Sequence, residues 1–222
     1  MTSRFLIPAL LLLLLSCARL PAITPKDGPS SSGIDNAHTS RRIFPEGAWQ
    51  FLHSIRAELP GGRDFGMMGL TVMSSRLQTR RSVIMTLEGF VIFDGEYDRR
   101  VIIHRALPPF DSPHFAGGLM EDIGLVFFEP DGPVVVFGEL GNGSVVRRHQ
   151  ITDGSTVDVE ALPDGDWQIR HYSPSHELIR TVRARHGAVN PSGFPETIEL
   201  TASGDQTYRL VMTLVEAVSI DP

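Results

Sequence analysis

Alternation of apolar and polar side chains, segment after segment, most constrains what this chain can become. Trp49, Phe51, His53, Ile55, Ala57 and Leu59 fall on one side of an extended backbone, and Gln50, Ser54, Arg56 and Glu58 on the other. A period of two marks a strand with one covered face; a helix repeats every 3.6 residues. Strands are expected in the same way over 65–73, 82–87, 90–93, 101–104, 134–138, 145–151, 156–161, 166–172, 177–185, 196–202 and 208–218. Turn formers separate them: Pro60-Gly61-Gly62-Arg63-Asp64, the polar run 74–80, Glu88-Gly89, Asp94-Gly95-Glu96-Tyr97-Asp98, Leu140-Gly141-Asn142-Gly143 and Pro163-Asp164-Gly165.

One stretch breaks the rhythm. Pro108-Pro109 and Pro113 interrupt the chain, and 113–126 reads as a helix with Pro113 in its first turn and Asp111 or Ser112 as its cap. Phe115, Leu119 and Ile123 are spaced by four and would face inward, although Gly117-Gly118 weakens the helix. Many antiparallel strands, short turns and one central helix predict a mainly β fold, a half-open antiparallel barrel with the helix as a lid.

The N-terminus is of another kind. Arg4 precedes an apolar run from Phe5 to Leu15, which ends Leu14-Leu15-Ser16-Cys17. A positive start, a short apolar core and a small residue at the break describe a secretory signal, and about 20 apolar residues would be needed for a membrane span. The sequence up to Cys17 resembles the lipobox of bacterial lipoproteins. That resemblance implies cleavage after residue 16 and lipidation of Cys17, with labelled palmitate a marker of the attachment. The competing reading is an ordinary secretory signal with an incidental cysteine. Against it, Cys17 is the only cysteine and no A-x-A site is present. Ala18, where an aspartate would resemble the inner-membrane retention signal, implies an outer-membrane anchor facing the periplasm. Residues 17–43 are rich in Pro, Ser, Gly, Asn and Thr and read as a flexible tether, leaving 44–222 as one domain.

Charge excludes some partners. Loss of residues 1–16 removes only Arg4 and leaves 19 basic against 26 acidic side chains, which disfavours nucleic acid. Neither H-E-x-x-H, C-x-x-C nor G-x-S-x-G occurs, so His53, His104, His114, His171 and His176 read as ordinary strand or surface histidines; no metal, cofactor or catalysis is expected. The glycines at 138, 141 and 143 lie between two strands and read as a hairpin, not a phosphate loop. Glu121-Asp122 reads as a solvated pair, and Arg80-Arg81, Arg99-Arg100 and Arg147-Arg148 as solvent-facing pairs near turns.

The last third has a recognisable order. A Trp-bearing strand ending in Tyr, Asp166-Trp167-Gln168-Ile169-Arg170-His171-Tyr172, is followed by the proline-led Phe194-Pro195-Glu196-Thr197-Ile198-Glu199-Leu200. The alternating Tyr208-Arg209-Leu210-Val211-Met212-Thr213-Leu214 comes last. This resembles the C-terminal part of the LolA/LolB family of periplasmic lipoprotein carriers, and a related group of small bacterial lipoproteins of unassigned function. The resemblance implies a half-barrel with a helical lid over an apolar cavity that takes acyl chains. It departs from the LolB-type receptor at Leu87-Glu88-Gly89-Phe90, a tight turn where the receptor has a longer loop. The residues expected to contact lipid are Met85, Leu87, Phe90, Ile92, Phe115, Leu119, Trp167, Ile169 and Met212. The expected role is a membrane-anchored, non-catalytic carrier of a lipid or lipidated cargo, with other envelope proteins as candidate partners. The alternative is a structural or assembly lipoprotein with a filled barrel.

Overall fold

The computed structural model describes residues 19–26, 43–187, 193–204 and 207–221. Cys17, the signal sequence and most of the expected tether lie outside the described residues.

Thirteen strands form one antiparallel sheet. In chain order they are β1 (Thr24–Pro25), β2 (Ala48–Leu59), β3 (Arg63–Ser74), β4 (Thr79–Thr86), β5 (Val91–Asp98), β6 (Arg100–Ala106), β7 (Val134–Glu139), β8 (Val145–Gln150), β9 (Thr156–Ala161), β10 (Trp167–Tyr172), β11 (Leu178–Arg185), β12 (Thr197–Ala202) and β13 (Tyr208–Ser219). Helix α1 (Pro113–Phe127) joins β6 to β7. The strand order β1-β7-β8-β9-β10-β11-β12-β13-β2-β3-β4-β5-β6 leaves β1 and β6 as free edges, so the sheet curls without closing. The expected half-open barrel is the fold observed, with one helix among the described residues. The helix leaves one edge of the sheet at β6 and returns near the other at β7, so it must cross the curled face.

Register fixes which side chains meet the helix. Phe51 pairs with Thr71 and Ala217, and His53 with Gly69 and Leu214. Met212 pairs with Ile55 and Ile198, and Trp167 with Ala161 and Ala184. These rows line the inner face. Phe51, Met73, Val159, Trp167, Ile169, Val182, Ala184, Ile198 and Leu200 pack with Val126, Phe127 and Phe128 in the main core. A second cluster of Ile84, Phe93, Ala116 and Met120 lies under the first half of the helix. Ser112 is the N-cap residue with Pro113 in the first turn, and no side chain caps the free amides. Gly117 and Gly118 face open space, while a Cβ on Gly124 would approach Arg80 Nη2 to 3.1 Å, so glycine there lets an arginine lie against the helix.

Several expectations are corrected. Residues 94–98 are not a turn. Asp94 pairs across to Val83 and Arg105 inside a continuous strand, and the chain reverses instead around Arg99, whose φ is 59°. Residues 79–80 belong to β4, not to the preceding turn. The arginine pairs do not all face solvent. Neighbours on a strand point to opposite faces, so Arg80 and Arg147 turn inward, and Arg148 turns to the outer face beneath the N-terminal segment. Asp122 is also buried, at 5% exposure, while its neighbour Glu121 is exposed.

Residues 19–26, given to the tether by composition, lie on the sheet. Thr24 and Pro25 pair with Glu139 and Gly138, and the Lys26 amide donates to the Phe137 carbonyl at 3.1 Å. Arg148 Nη2 donates to the Pro21 carbonyl at 3.0 Å. Gly138 permits the crossing, since a Cβ there would sit 2.1 Å from the Thr24 carbonyl oxygen.

Candidate functional site

The inner face and the helix meet in an aromatic wall. Phe127 stacks on Phe51 with ring centroids 5.0 Å apart, and Phe51 takes Phe194 edge-on at 5.0 Å. Trp49 also meets Phe194 edge-on, at 4.7 Å. His53 lies between, its ring 6.2 Å from Phe51 and 6.1 Å from Phe127. Phe51, His53, Phe127 and Phe194 border a cleft closed by Ile43, Pro45, Val126, Trp167, Pro195, Ile198 and Leu214. The cleft has about 10 Å³ open to the centre of a water-sized sphere, which is room for about one water molecule. The apolar walls make it a lipophilic site, and the tight fit means that a chain-like guest must displace part of the wall.

The helix over this wall is tied down by polar contacts. Arg180 Nε donates to Asp122 Oδ1 at 2.9 Å, and the Tyr208 hydroxyl donates to Asp122 Oδ2. Burial pushes the Asp122 carboxyl up, opposed by the hydrogen bond from Tyr208 and the charge of Arg180. From the other side Arg80 Nε donates to the Met120 carbonyl at 2.9 Å, with its guanidinium 4.0 Å from the centre of the Tyr97 ring. Sequence reading missed Arg80, Asp122, Arg180 and Tyr208. Alternation along β4 was the available signal for Arg80; Asp122 gave none, because its partners are 58 and 86 residues away.

The structure gathers only some of the residues expected to contact lipid. Trp167 and Ile169 are in the main core, and Met212 packs half-buried against it. Leu119 is half-buried beside the second cluster, and Phe115 meets Phe110 edge-on at 5.1 Å. Ile92 also joins the second cluster, through a bulge. Ile84 pairs with Phe93 and Met85 with Val91, so Ile92 is the extra residue and turns inward beside Phe93. Met85 is not on this face: it pairs with Met68, which pairs with Ser54 on the outer row. Leu87 and Phe90 are 65% and 69% exposed at the tip of the β4–β5 turn, away from the cleft. Period two gave the faces, but a one-residue offset in β4 reverses them.

A His–Ser–Asp arrangement at the β9–β10 end holds a turn. His171 Nε2 and Ser155 Oγ lie 3.0 Å apart, but Asp153 bonds the Ser155 amide, and Ser155 is buried in the turn it staples to β10. Among the described residues no group of three or more His, Cys, Asp or Glu side chains is placed to hold a metal.

With this geometry in view, the fold has counterparts among solved structures. A LolA superfamily protein from Nitrosomonas europaea superposes with a TM-score of 0.55 at 12% identity, over 81% of this chain and 89% of that one. A putative outer membrane lipoprotein-sorting protein domain from Vibrio parahaemolyticus superposes more loosely, with a TM-score of 0.46 at 9% identity over 78% of this chain and 85% of that one. The fold assignment rests on the first: the chain has a LolA-like fold. No protein-family model and no curated protein matches it.

Proposed function

We propose that this protein is a membrane-anchored carrier in the bacterial envelope that holds the acyl part of a lipid or lipidated molecule between helix α1 and the inner face of the sheet, without chemistry. The observation that carries the reading is the Phe51–Phe127–Trp167 cleft. It is an apolar seam between the sheet and helix α1, whose backbone takes no part in the strand ladder. Buried apolar area favours a guest there by roughly 25 cal/mol per Å². Opening the seam means separating the helix from Arg80, Arg180 and Tyr208 and parting Phe127 from Phe51, so a guest must replace the apolar contacts that the helix gives up. The anchor in this reading is Cys17, lipidated after cleavage, with the body on the periplasmic side of the outer membrane. The LolA-like fold supports the carrier reading by analogy of fold.

The tightness of the cleft favours a second reading, an assembly lipoprotein whose interior is filled. Titration with a fluorescent acyl probe separates the two. The carrier gives saturable uptake that Leu214→Glu, in the cleft wall, weakens by placing a charge in an apolar site, while Met85→Glu on the outer face leaves uptake unchanged. A folded protein with no saturable uptake of any acyl probe is the filled form. Labelled palmitate should enter the natural protein and not Cys17→Ser; label in the variant would refute the anchor.

A further inference from the structure

The cleft walls carry two polar side chains in an otherwise apolar surface. Trp167 is 3% exposed and its indole N–H finds no acceptor. The other tryptophan is different: Trp49 Nε1 donates to the Glu46 carbonyl at 2.7 Å. A buried donor without a partner costs roughly 1–3 kcal/mol, so a guest that brings an acceptor to it gains that hydrogen bond. His53, 4% exposed, stands in the same wall. Burial pushes its imidazole down to about 4, so it is neutral near pH 7 and has one donor and one acceptor nitrogen.

We infer, resting on the carrier reading, that Trp167 and His53 form a polar seat for the uncharged carbonyl of an acyl ester or amide, and that the site selects acylated molecules over free fatty acids. The charges on the page favour a neutral group. Among the described residues no lysine or arginine lines the cleft. The nearby arginines are committed elsewhere, Arg180 to Asp122, Arg80 to the Met120 carbonyl and Arg147 to Glu129. A carboxylate would enter without a counter-charge, at high cost. A carbonyl oxygen needs only to accept. A single water, which normally makes about three hydrogen bonds when buried, would find two polar side chains there and be readily displaced.

The test uses the full chain and three ligands of equal chain length: methyl laurate, laurate and a plain alkane. Nitrogen-15 spectra give one indole signal for each tryptophan. Methyl laurate is expected to move the Trp167 signal and leave that of Trp49 in place. It should bind about fivefold more tightly than the alkane, the increment of one ordinary hydrogen bond, and more tightly than laurate at pH 7.5. In Trp167→Phe the ester should lose its advantage over the alkane, both ligands being measured on the same variant. The ligand series on the natural protein decides the matter even if that variant does not fold. An unmoved Trp167 signal at saturation, or equal binding of ester and alkane, overturns the polar seat and leaves the carrier reading standing. If none of the three ligands binds, the carrier reading falls and the seat falls with it.

Discussion

The two ends of the sheet solve the same problem in opposite ways. At one end Thr156, Val157, Asp158, Val159 and Glu160 of β9 are all buried, apolar residues inward and carboxylates outward. Arg148 grips Asp158 with two bonds of 2.7 Å, Arg170 pairs with Glu160, and residues 19–26 lie across the edge beyond them. At the other end β6 is half exposed and uncovered, with Arg99, Arg100, His104 and Arg105 open to solvent. An uncovered edge invites pairing with other chains, and charges along it are a common defence. One end is sealed by covalently attached chain and buried ions, and the other is protected by charge alone. Sealing spends stability on exact partners, whereas charge defence needs almost none.

The sealed end should therefore break hardest. Arg148→Ala leaves the Asp158 carboxylate, fully buried, without its partner; such losses cost about 3 kcal/mol or more. Denaturant unfolding should show it, and a loss below about 1 kcal/mol would mean that Asp158 is solvated after all. Gly138→Ala should cost less, about 1–2 kcal/mol, because its Cβ collides with the Thr24 carbonyl and pushes the N-terminal segment off. Limited proteolysis within 19–26 should quicken in that variant, and an unchanged cleavage rate would count against the packing described.

Acid should separate the ends in order. Burial holds His149 and His171, on β8 and β10, below the ordinary histidine value. The unfolded chain then takes up protons first, so stability at this end falls as the pH drops below about 6.5. Glu160, pushed up by burial, works the other way: its term is present at acid pH and lost as the pH rises through its folded value. At the open end Asp94 is held low by its hydrogen bond to Arg81, so that stabilisation disappears only as the pH falls through the carboxylate range. Amide exchange between pH 7 and 5.5 should loosen β8–β10 before β4–β5, and the reverse order would contradict this account. The smallest effect belongs to the open edge. His104→Val should change stability by less than about 0.5 kcal/mol, yet light scattering should detect more self-association.

The sequence was most legible where one face meets water and the other the core. The inner row of β2 and the helix boundaries could be read directly, because each needed only local spacing. Asp158 and Glu160 look like solvent-facing residues of an alternating strand. They are buried because a segment more than 130 residues earlier in the chain covers the arginine beside them, and no local pattern records that. Ile92 and Met85 were placed wrongly relative to each other for a smaller reason: one extra residue in β5 turns Ile92 inward, and the β4 register sends Met85 outward. Trp167 stands out in the sequence as part of an apolar stripe and of the Trp-bearing strand, but its lone N–H becomes visible only when every neighbour is checked for an acceptor.

The docked segment 19–26 also sets where mechanical load enters the molecule. Tension applied from the N-terminal side reaches the Arg148–Pro21 bond and the two-residue β1–β7 ladder before it reaches the core. These few bonds act as a release link in series with a stiff body. Once they part, eight residues pay out, and at about 3.3–3.6 Å each the free N-terminal chain lengthens by at most roughly 25–30 Å. The body then gains that range of movement with its inner face and helix undisturbed.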